Sequence, residues 1–107
     1  MKFLELTAFC YPMEKFTMAR RSLMLPHPLG EAAAIGSAVR ECQLGLQHLQ
    51  EEELDEDTRA RIRRLKEIMD TTRREDAELD LLQKSELSDL VDGLAEVFTR
   101  QFYHRAA

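Results

Sequence analysis

No tryptophan occurs in this chain, and aromatic residues make up only 7% of it. Any core must therefore be mainly aliphatic, with five Phe and five Met to fill it. Two cysteines, Cys10 and Cys42, are too few for a disulfide framework. They suggest a reduced, cytoplasmic setting. No apolar run approaches the ~20 residues of a membrane span. The N-terminus does not read as a secretory signal, because Glu5 interrupts its apolar stretch and no small-residue cleavage site follows. With only three prolines and four glycines in 107 residues, long regular elements are not interrupted often.

Catalytic and metal-binding patterns are missing too. No Glu is followed three residues later by His, so the inward-facing motif of a di-metal bundle does not occur. Cys10, His27, Cys42 and His48 lack the tight spacing of a zinc site. There is no Gly-x-Ser-x-Gly and no Gly-rich phosphate loop. No catalytic residue, cofactor ligand or metal ligand is therefore assigned, and the chain is expected not to be an enzyme.

What is present is helical periodicity. Hydrophobic residues are 44% and charged residues 33%, enough apolar surface for one domain over 1–107. Ile35, Ala38, Val39, Cys42, Leu46 and Leu49 recur at steps of three and four. So do Ile62, Leu65, Ile68 and Met69, and then Leu87, Leu90, Val91, Leu94, Phe98 and Phe102. Each set falls on one side of a helix and needs cover.

The spacing predicts a mainly α fold, a small antiparallel bundle of three or four helices. Helix one is expected over 29–54, after the break at Pro26-His27-Pro28. Helix two is expected over 57–82, with a bend near 72 where Thr71-Thr72 weakens it. Helix three is expected over 86–104, capped by Ser85. Residues 1–28 are ambiguous: a β-hairpin turning at Tyr11-Pro12-Met13-Glu14, a short helix, or an irregular segment. Pro12 breaks any regular element, and the Phe and Thr content leans to the hairpin, with a helix carrying Phe3, Leu6 and Phe9 on one side as the near equal. In helix one, Gly36 and Gly45 mark either close approach of a neighbour or simple tolerance. Cys42 lies in the apolar stripe and is expected in the core.

Charge is unevenly distributed around a net of −5. Residues 51–57 hold six acids, 59–74 hold seven bases against two acids, and 75–96 hold eight acids against Lys84. The basic run Arg59, Arg61, Arg63, Arg64 and Lys66 could track phosphates. Asp55, Asp57, Glu67 and Asp70 sit at helical spacing from these bases and offset them. The acidic third helix would repel nucleic acid. The leading expectation is thus a non-enzymatic protein-interaction or regulatory module, with a nucleic-acid-binding regulator as the alternative. A homodimer is expected, because a helical chain this small often gains burial by pairing with its copy. Candidate contact residues are the bases named above together with Phe98, Phe102 and Tyr103.

Overall fold

The computed structural model describes residues 3–24, 28–47, 49, 51–72 and 79–106. Among these residues there are four α-helices and no strand. They are α1 (Phe3–Met24), α2 (Glu31–Leu46), α3 (Glu56–Thr72) and α4 (Leu81–Ala106), with a 3-10 turn at Glu51–Glu53. The mainly α expectation holds.

The sense of packing follows from residues that meet. Phe16 stacks on Phe98 with ring centroids 5.2 Å apart, and Arg20 reaches Asp92 at 3.4 Å. As α1 ascends, α4 therefore descends. Ser22 meets Ser37 at 3.3 Å, whereas Phe16 lies against Gly45, so α1 and α2 are also antiparallel. Arg64 contacts Glu86 and Arg61 lies over Gly93, which sets α3 against α4 in the same sense. The result is an up-down-up-down bundle in which α1 packs broadly on both α2 and α4, and α3 packs chiefly on α4. All four helices supply the core: Phe16 and Ala19; Ala38, Val39 and Cys42; Ile62, Leu65, Ile68 and Met69; Leu87, Val91, Leu94, Ala95 and Phe98.

Of the readings open for residues 1–28, a helix is the one present, over Phe3–Met24, and the hairpin is not shown. Pro12 lies inside that helix, not at a turn. An interior proline costs about 3 kcal/mol through its missing N–H and its clash with the preceding turn. Burial offsets this cost. Phe16 and Ala19 are completely covered, and Met13 and Leu23 are partly covered. A large apolar side chain gains about 1.5–3 kcal/mol on full burial. Pro12 itself is buried, while Tyr11, Glu14, Met18 and Arg21 face solvent. That alternation has the period of a helix, not of a strand.

The other boundaries also differ, each for a local reason. α2 ends at Leu46 instead of continuing to 54. An acidic run at a helix C-terminus opposes the negative end of the dipole. Placed before α3, the same acids meet a positive end. Asp55 caps α3, its Oδ1 accepting the Thr58 N–H at 2.7 Å. α3 ends at Thr72 and does not reach 82. The Thr71 and Thr72 hydroxyls donate back to the carbonyls of Glu67 and Met69, at 3.2 and 2.7 Å. The expected stretch beyond it, 73–78, lies outside the described residues.

α4 starts at Leu81, five residues before the position expected from Ser85. Asp80 and Gln83 form a reciprocal cap. The Gln83 N–H donates to Asp80 Oδ1 at 2.7 Å, and the Asp80 N–H donates to Gln83 Oε1 at 3.0 Å. At the start of α2 there is no side-chain cap. Gly30 instead takes φ 96° and ψ −178°, a conformation open essentially to glycine alone.

The two helical glycines separate cleanly. A methyl group on Gly45 would lie 3.0 Å from the Phe16 ring and 3.1 Å from Lys15 Cβ, whereas Gly36 has nothing within 4 Å. Close approach explains Gly45, and tolerance explains Gly36. Gly36→Ala should therefore stabilise the protein by up to about 1 kcal/mol. Gly45→Ala should destabilise it, because overpacking costs of about 1–3 kcal/mol exceed the gain in propensity. Chemical denaturation of the two variants checks the opposite signs.

Candidate functional site

Five expected contact residues line α3, and described acids compensate them. Arg64 forks onto Glu86, with Nε and Nη2 each 2.7 Å from a carboxylate oxygen, and its Nη1 donates to Glu67 at 2.8 Å. Arg63 and Arg59 share Glu56, at 3.0 and 3.3 Å. Lys66 bonds Glu51 at 2.7 Å. Arg61 lays its guanidinium across Gly93, with Asp89 and Asp92 lining the same cleft. The compensation draws on Glu51, Glu56 and Glu86 beyond the expected spacing, while Asp55 still lies in the field of Arg59 and Arg61. Asp55 serves as a helix cap, and Glu86 comes from another helix. The sequence hides these partners because they depend on how α4 and the 3-10 turn lie against α3.

Hydrogen bonds from Arg64 hold the Glu86 carboxyl below the usual carboxylate range. The bond from Arg63 does the same for Glu56, and the backbone N–H of Thr58 for Asp55. Carboxylates lowered on folding stabilise the fold above their unfolded values, about 4, and lose that contribution as pH falls through the folded ones. The urea midpoint should therefore fall between pH 6 and pH 3. Glu86→Gln should show a smaller fall, because its pair no longer titrates. Equal slopes in the two proteins would contradict the assignment.

The aromatic candidates divide by location. Phe98 is fully buried against Phe16, so it belongs to the core and cannot serve as a contact surface of the folded chain. Phe102 packs partly against the same core. Tyr103 is 63% exposed and meets Phe102 edge to face at 5.3 Å.

Four exposed apolar residues went unmarked as contacts in the sequence. Met24, Leu29, Leu81 and Leu82 are 72%, 81%, 82% and 81% exposed. Met24 closes α1, Leu29 precedes α2, and Leu81 and Leu82 open α4. In an up-down-up-down bundle those positions share one pole. Lys84 and Glu31, paired at 3.1 Å, tie the starts of α4 and α2 together there. The signal was available: Leu81 and Leu82 lie six and five residues before Leu87, off the apolar stripe of α4. It becomes readable only once the Asp80 cap is recognised.

Between α2 and α3 runs an open groove of about 560 Å³, bordered by Arg40, Leu44, Leu46, Lys66, Met69 and Asp70. Its size suits a ligand site, and its lining mixes apolar groups with charged and amide side chains, Gln43 and Gln47 among them. No group of three or more His, Cys, Asp or Glu arranged for a metal ion occurs among the described residues. Of the histidines, His104 is exposed, and His27 and His48 lie outside the described residues. No described helix is long and apolar enough to cross a membrane.

Cys42 is wholly buried in the core, as its place in the stripe of α2 implies. Burial, aided by the adjacent Glu41 carboxylate, pushes its thiol up to about 12. Lys15 holds Glu41 at 3.5 Å in a largely covered ion pair that also joins α1 to α2. A thiol in this setting is not a nucleophile near neutral pH. In a Cys10→Ser variant, Cys42 should react with a disulfide reagent at pH 8 only after unfolding. Stoichiometric labelling of the folded protein within minutes would contradict this.

No protein-family model, curated protein or solved structure matches the chain.

Proposed function

We propose that this chain is a non-enzymatic protein-interaction module that pairs with a second copy of itself through the pole bearing Met24, Leu29, Leu81 and Leu82. One observation carries the reading: four large apolar side chains stand 72–82% exposed at the same end of the bundle. Contiguous exposed apolar surface on a small protein marks a contact site. Covering four such groups on each of two copies would gain at most roughly 12–24 kcal/mol at about 1.5–3 each. That is of the same order as the 4–15 kcal/mol or so of freedom lost on association.

Two-fold pairing is the commonest arrangement for a single chain type. Tyr103, exposed at the opposite end of α4, lies outside this pole and takes no part in the proposed pairing. The α3 bases support this reading over nucleic-acid binding, because Arg59, Arg63, Arg64 and Lys66 already hold carboxylates of the same chain.

Sedimentation of the purified protein over a range of concentrations tests the proposal. The wild type should sediment as a dimer, and Leu81→Glu with Leu82→Glu should sediment as a monomer of unchanged helical content. Both side chains are exposed, so the double variant should leave the fold intact. A wild type that stays monomeric at about 100 μM, roughly 5.5 kcal/mol of binding on the affinity scale, would overturn the proposed self-pairing.

A further inference from the structure

We draw no further inference here: the strongest candidate, the open groove between α2 and α3 bordered by Arg40, Leu46, Lys66 and Met69, mixes charged and apolar lining, and nothing in the structure shows what covers it.

Discussion

Burial of α1 on two sides is the constraint on which the bundle depends. α1 packs against α2 through the Phe16–Gly45 approach and against α4 through the Phe16–Phe98 ring pair. One side chain thus serves both seams. α3 packs chiefly on α4, so its place is inherited from the α1–α4 pair. Without α1, the apolar faces of α2 and α4 would have no common partner.

The apolar stripes were the legible part of the fold. Each became a helix, and Ala38, Val39, Cys42, Ile62, Leu65, Leu87, Leu94 and Phe98 all lie in the core. A stripe at helical spacing needs only its own sequence to be recognised. Boundaries and the first helix were harder. Pro12 reads locally as a breaker, and only the packing of α1 on α2 and α4 reverses that reading. Ser85 and Asp80 are both fair caps in isolation. Gln83, reaching back to Asp80, decides between them. Gly36 and Gly45 are indistinguishable in sequence, and a neighbouring Phe16 tells them apart.

Charge and exposure together shape the candidate contact surface. The basic run on α3 draws attention in the sequence, but in the fold it is a compensated face. Glu51, Glu56, Glu67 and Glu86 accept its bonds. Exposed pairs of this kind fix register more than they add stability. The apolar pole is the reverse case. In the sequence Leu82 reads as the last apolar position of a helix two over 57–82, and in the fold Leu81 and Leu82 open α4 outside the stripe that builds the core. The antiparallel order of the helices sets them at the same end of the bundle as Met24 and Leu29.

Amide hydrogen exchange along α1 tests the central claim most directly. If α1 is held on both sides, the amides around Phe16 and Ala19 should exchange only through global unfolding, as slowly as those around Val91 and Leu94 in α4. Exchange of the α1 amides orders of magnitude faster than those of α4 would show that the bundle stands without its first helix, and would contradict the account.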